Sequence, residues 1–186
     1  MKDHSECHAE VTASLRQEQQ GLCCYCEMEL KDVACHIEHM EPQSLNNTRR
    51  YDYGNLAMSC TSRTSDHCGA YKEHPKNKSG YAYDPNRFTP PQHPATSDLF
   101  SYLSDGSVIA ADQVDPARFA YMRDYVGLDC ASLRQRRREH ARDLIDTLGS
   151  EPEDETLDWM LTEYLKPNAD GHLIQFHSLS RAILEP

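Results

Sequence analysis

The clearest apolar patterns lie in the second half of the chain. Residues 99–111, LFSYLSDGSVIAA, set two short apolar runs on either side of Asp105-Gly106, the signature of a β-hairpin closed by a tight turn. Leu157, Met160, Leu161, Tyr164 and Leu165 recur at offsets 0, 3, 4, 7 and 8, which predicts an amphipathic helix ended by Pro167. Ser150 with Glu153 offers that helix a capping-box start. Ser132 with Gln135 offers the same start to a preceding helix, closed by Gly149. The apolar face of 157–165 is expected to pack within the molecule rather than against a partner. At the other end, residues 5–20 read as a polar helix with few anchors (Val11, Leu15), stopped by Gly21. Between them, Val33, Cys35 and Ile37 alternate with Ala34, His36 and Glu38, so the two sets face opposite sides of a strand. Residues 73–94 hold five prolines with Gly and Asn, a loop or linker composition.

Composition narrows the class. At 186 residues the chain suits one domain, or one with an appendage, by the prior of roughly 150 residues per domain. Its hydrophobic share is 38%. Exchanging Tyr for Gly in that count leaves about 37%, below the ~45–50% of ordinary domains, so the core is thin and a staple would help. No run of ~18 apolar residues exists, and the start, MKDHSECHAEV, lacks the apolar stretch of a secretory signal. The expectation is a cytoplasmic protein with no membrane span. The net charge of −11 counts against a surface that binds nucleic acid unaided. Basic residues cluster locally: 134–142 carry five Arg against one Glu, and Arg134, Arg138 and Arg142 would form one helix stripe. That stripe either binds phosphates or an acidic partner, or pairs as a solvated face with the acidic run 151–158. Arg49-Arg50 lies nearer the candidate chemistry.

Eight Cys and ten His in such a chain point to metal or catalysis rather than disulfides. Cys23-x-x-Cys26 is a zinc-knuckle spacing, and Cys60 with Cys68 is the natural second pair, although seven residues separate them. A redox CxxC would need a βαβ context that the pattern lacks. Four thiolates make a closed, structural site worth on the order of 10 kcal/mol of folding energy. Cys7, Cys24, Cys35 and Cys130 are expected to pack as small apolar residues. His36 and Glu38, about 6–7 Å apart along one strand face, suit a shared divalent cation, with His39 beside it.

In order, Cys23-Cys24-Tyr25-Cys26, Ile37-Glu38-His39-Met40-Glu41-Pro42, Asn55-Leu56-Ala57-Met58-Ser59-Cys60 and Cys68-Gly69-Ala70-Tyr71-Lys72 resemble the zinc-stapled HNH (ββα-metal) endonuclease family over about residues 20–75. More narrowly, GLCCYCEMEL, HIEHMEPQS, YDYGNLAMSC, HCGAYK and LFSYLSDGSVIA are similar to the PtuB-type HNH proteins of Septu and retron anti-phage systems. The resemblance implies an α+β fold: an N-terminal helix (1–20), an HNH core with a four-cysteine zinc site (21–80), and a mainly helical region with one hairpin (81–186). It implies a metal-dependent endonuclease acting on DNA, the effector of an anti-phage defence system, with a PtuA-like ATPase partner. His39 would be the general base, Glu38 and His36 the catalytic metal ligands, and Asn55 the residue orienting loop and base. Lys72 would contact a phosphate or stand solvated on a helix. The catalytic ion would be Mg2+ or Mn2+, or Ni2+ or Zn2+ given the imidazole. The chain departs from the family at Gly69, where a His or Asn ligand usually follows the last Cys; His67, His74 or Asn77 are the substitutes, His67 the nearest. The alternative is a non-catalytic zinc-stabilised adaptor that binds a partner protein or nucleic acid.

Overall fold

The alternation at 33–42 is realised as strand β1 (Cys35–His39), which pairs antiparallel with β2 (Leu56–Cys60) and sets His36 opposite Ser59 and Glu38 opposite Ala57. The computed structural model describes residues 4–31, 33–61, 66–73, 80–150 and 152–185. Helix α1 (His4–Glu18) is polar except for Leu15, which is buried, and Val11, which is half-buried. Just beyond it, Gln19 occupies the free edge of β2. Its amide nitrogen donates to Met58 O at 2.9 Å, and its amide oxygen accepts from Met58 N at 2.6 Å. The side chain thus satisfies backbone groups that a third strand would otherwise need to pair. Helix α2 (Cys68–Lys72) packs on β2.

The hairpin forms as expected, with β3 (Phe100–Tyr102) antiparallel to β4 (Val108–Ala110). Gly106 takes φ +84° in its turn, and a Cβ there would collide with the Arg134 carbonyl of α4 (Ala131–Leu148). Only glycine meets both demands. Against the hairpin pack α3 (Pro116–Tyr125) and α6 (His177–Leu184), and α5 (Asp154–Leu165) packs on α6 and α4. The described residues thus form an α+β arrangement of six α-helices and two small antiparallel sheets. No described helix is long and apolar enough to cross a membrane.

Several local expectations are corrected. Neither capping box forms: the N-cap of α4 is Cys130, which places Ser132 inside the first turn, where its hydroxyl donates to Asp66 at 2.9 Å. Pro152 disfavours helical backbone before it, and α5 is capped at Glu153 without a side-chain bond. Cys7 is exposed rather than packed, while Cys24, Cys35 and Cys130 are half-buried against the core. The proline-rich stretch is more than a linker. Phe88 and Thr89 are buried, Tyr83 tilts against Phe88 and Tyr125, and Tyr121 stacks on Tyr125 with centroids 5.2 Å apart. The arginine stripe stays exposed along α4 at Arg134, Arg138 and Arg142, with Arg134 paired to Asp129. Arg137, off that stripe, is buried and donates to Gly106 O and Leu128 O.

The main core runs from Leu15, Cys23, Leu30 and Met58 to Tyr121, Leu133 and Leu179. A second cluster, Leu144, Met160 and Leu184, takes in Leu161, Tyr164 and Leu165, so the apolar face of α5 is spent inside the molecule.

Candidate functional site

Two metal-competent groups of side chains stand among the described residues. The first is Cys23, Cys26, Cys60 and Cys68, whose sulfurs all lie within 4.8 Å of one another and are buried. Cys23 and Cys68 are 3.8 Å apart, and Cys26 and Cys60 are 3.5 Å apart. A tetrahedron with metal–sulfur bonds of about 2.3 Å has edges of about 3.8 Å, so this spacing is compatible with zinc. The knuckle is shaped by its backbone: Cys23 N donates to Met28 O, Glu27 N to Cys23 O, and Cys60 N to the Cys23 sulfur at 3.2 Å. Cys68 takes left-handed backbone (φ +60°) to join the group, a conformation that costs about 1–2 kcal/mol for a non-glycine residue. Burial opposes charge on Cys23, yet the surrounding thiols of Cys24, Cys26, Cys60 and Cys68 hold its pKa well below the usual value. Burial pushes Cys26 and Cys68 well above it. A divalent cation bound by four such buried thiols would displace their protons and neutralise the thiolate charge gathered there.

His67, the nearest substitute for the ligand missing at Gly69, lies with these cysteines instead. Its Nδ1 is 3.2 Å from the Cys68 sulfur and 3.8 Å from that of Cys60. As the residue just before Cys68, its ring is carried to the sulfur side of the turn. His74 and Asn77 lie outside the described residues.

The second group is His36, Glu38 and Glu73. Alternation along β1 puts the first two on one face, with His36 Nε2 3.2 Å from Glu38 Oε2. Two ligands at right angles on an ion with bonds of about 2.1 Å would be about 3.0 Å apart, close to this separation. Glu73 arrives from the C-terminal end of α2. Gly69 leaves the space: a Cβ there would fall on Glu38 Oε2 and stand 2.7 Å from His36 Nε2. The donor set, with ligand atoms all within 4.8 Å of one another, is compatible with a divalent cation.

Glu38 is fully buried, and each oxygen is spoken for. Oε1 accepts from the Tyr25 hydroxyl at 3.1 Å and forms an ion pair with Lys72, while Oε2 faces His36. Burial would raise the Glu38 pKa, but the Lys72 ammonium and the His36 bond outweigh it and hold it below the usual value. The Glu38 bond raises the pKa of His36 against burial. Desolvation, then the Glu38 charge, push Glu73 upward, with Lys72, His36 and His39 opposing. Lys72 is therefore neither solvated nor turned to a substrate. Its Nζ donates to His39 O at 2.7 Å and Met40 O at 3.3 Å, fastening α2 to the end of β1.

His39 points to the other side of the strand, half-buried. Its Nε2 donates to Arg50 O at 2.9 Å, and its Nδ1 accepts from the Gln43 amide at 3.0 Å. Asn55, buried, folds the intervening loop. Its Oδ1 accepts from Glu41 N at 2.8 Å, and its Nδ2 donates to Glu41 O at 3.1 Å and to Arg49 O at 3.4 Å. By holding the carbonyl next to that of Arg50, Asn55 fixes the acceptor that orients the imidazole.

Sequence reasoning missed Tyr25 and Glu73. The CxxC knuckle carries Tyr25 to Glu38, and Glu73 lies one helical turn past Gly69, a spacing visible only once α2 is known to be a helix. No family model matches the chain, and no curated protein matches it.

Proposed function

We propose that the protein is a metal-dependent endonuclease of the HNH type, hydrolysing phosphodiester bonds of DNA. The observation that carries this reading is the grouping of His36, Glu38 and Glu73 on β1 and α2, with His39 held at the adjoining strand end. A divalent cation at that group would stabilise charge on the phosphate and on the leaving 3′ oxygen. Mg2+ suits the carboxylates, whereas the imidazole favours Mn2+, Ni2+ or Zn2+.

The remaining work falls to the chain. With Nε2–H committed to the Arg50 carbonyl, the lone pair of His39 is on Nδ1, and that nitrogen takes the proton from the attacking water. The Gln43 amide, on an exposed residue, yields its place to the water. The water oxygen bonds to phosphorus, the bond to the 3′ oxygen breaks, and solvent protonates the leaving oxygen. Lys72 and Tyr25 fix the orientation of Glu38, and the four cysteines hold structural Zn2+ beneath the strand pair.

A net charge of −11 makes unaided DNA binding weak and salt-dependent. That supports delivery of the substrate by a partner, which on the PtuB resemblance is a PtuA-like ATPase in a cytoplasmic anti-phage system. The Lys72–Glu38 pair, which already compensates the buried carboxylate, favours the second reading, a zinc-stabilised adaptor without catalysis.

Plasmid cleavage across Mg2+, Mn2+ and Ni2+, with His39→Ala as control, separates the two. Loss of a general base lowers the rate by about 10^2–10^4. A His39→Ala protein as active as the parent, or a parent inert toward both plasmid and single-stranded DNA with all three ions and with its partner present, refutes the nuclease.

A further inference from the structure

Residues 44–54, between β1 and β2, present side chains that the chemistry above leaves unused. Tyr51 is 86% exposed and Leu45 64% exposed. Neither sits on a slack loop. Asn46 Oδ1 accepts from Thr48 N at 3.3 Å and from Thr48 Oγ1 at 2.6 Å. Arg49 bridges Glu41 and Asp52 at 2.9 Å each, Asp52 accepts from Gly54 N at 3.0 Å, and Asn55 holds Arg49 O. A loop tied down this closely has already lost the freedom that binding would take away, and it holds an aromatic ring out in water.

The Arg50 guanidinium lies over one face of the ring, 5.5 Å from its centroid, and the 86% exposure of Tyr51 leaves the other face to solvent. The Arg50 carbonyl is also the acceptor of His39 Nε2. Tyr51 is therefore fixed one residue from the group that orients the proposed base. A preorganised aromatic face beside a guanidinium suits a nucleobase and its phosphate: every base has a π-face to stack, and the guanidinium meets the phosphate oxygens. A base paired inside a duplex has no free face. Building on the nuclease reading, we infer that Tyr51 and Arg50 form a stacking platform for an unpaired base next to the scissile phosphate. The substrates are then single-stranded, gapped or looped nucleic acid.

The charge balance agrees. A chain of net charge −11 cannot rely on neutralising many phosphates, and stacking supplies affinity that does not depend on salt. With Arg50 as the main phosphate contact, the dependence of log K on log salt has a slope of only about −0.7, the value for one phosphate on a single strand.

The test is fluorescence anisotropy of the full chain, zinc-loaded and with Ca2+ in place of a catalytic ion. The probes are labelled thymidine and uridine strands and a blunt duplex of equal length. The parent should bind single strands more tightly than duplex, with the shallow salt slope. Tyr51→Ala should weaken single-strand binding by about 5- to 100-fold, while Tyr51→Phe keeps it. Preference for one sugar identifies DNA or RNA, and either satisfies the inference. Equal binding by Tyr51→Ala, preference for duplex, no binding of any strand, or a protein partner lost with Tyr51 while oligonucleotides are unaffected overturns it. Tyr51-dependent binding with no cleavage under any of Mg2+, Mn2+ and Ni2+ sinks the nuclease and leaves the platform. Duplex plasmid cut by Tyr51→Ala at the parental rate does the reverse.

Discussion

Gly69 makes room for His36. The imidazole from β1 lies where a side chain at position 69 would put its first carbon, 2.7 Å from Nε2. The HNH resemblance expects a ligand on α2 directly after the last cysteine. On the proposed reading that donor would be His36 on the strand, two residues before Glu38, with the glycine as its complement. Gly69→Ala should therefore displace His36 and Glu38 and weaken Mn2+ binding by about 10- to 100-fold, as disruptions around a metal site do. Calorimetric titration measures it, with zinc content as the control for folding. Unchanged Mn2+ affinity would exclude an ion between those two side chains.

Lys72 and Glu38 form a pair whose side chains are 1% and 0% exposed. Removing the ammonium leaves a buried carboxylate uncompensated, at a cost of about 3–5 kcal/mol. Lys72→Met should thus melt well below the parent in the absence of catalytic ion. Mn2+ would restore part of the lost charge, so its thermal shift should be larger in Lys72→Met than in the parent. Equal shifts in the two proteins would mean that the ion does not bind beside Glu38.

Local patterns in the sequence were legible where one element decided them. Period-two alternation was enough to put His36 and Glu38 on one face, and the Asp105-Gly106 turn was enough for the hairpin. What the sequence hid depends on contacts between distant segments. Lys72 looked like a surface helix residue, because nothing local says that α2 docks its last turn on the end of β1. His67 looked like the substitute ligand by proximity to Gly69, but the turn into α2 carries its ring to the sulfurs. The proline-rich 80s read as linker because prolines mask periodicity, while Tyr83 and Phe88 find partners on α3, a helix with little amphipathic signal. The capping boxes matched by spacing alone, and Ser132 lost its role to Asp66, 66 residues away in sequence.

Zinc held by the four-cysteine group would make stability depend steeply on metal. Cys23, Cys26, Cys60 and Cys68 belong to the main core, so losing the ion leaves buried thiols in its centre. With a structural site contributing on the order of 10 kcal/mol, a strong chelator should unfold the strand pair and lower the melting temperature sharply, reversed by added Zn2+. Cys60→Ser should do the same without chelator, whereas Cys7→Ser, on an exposed position, should do neither. Metal-free protein that melts with the parent would remove the staple.

His140 couples the helical region to pH. Its Nε2 lies 2.8 Å from the Ser180 hydroxyl of α6, and its ring meets Phe176 and Tyr164 edge-on at 5.6 and 6.0 Å. Burial lowers its pKa, with the Asp143 charge only partly opposing. The unfolded side chain then holds its proton to higher pH than the folded one. Stability from its burial is complete above the unfolded value of about 6.5 and is lost as pH falls through that value toward the lower folded one. One proton bounds the slope at ~1.4 kcal/mol per pH unit. Urea unfolding followed on either side of pH ~6.5 should show the parent weakening on the acid side. His140→Gln keeps a partner for Ser180 but cannot titrate, so its slope should be shallower over the same window. Parallel slopes for the two proteins would mean that His140 is as easily protonated in the fold as out of it.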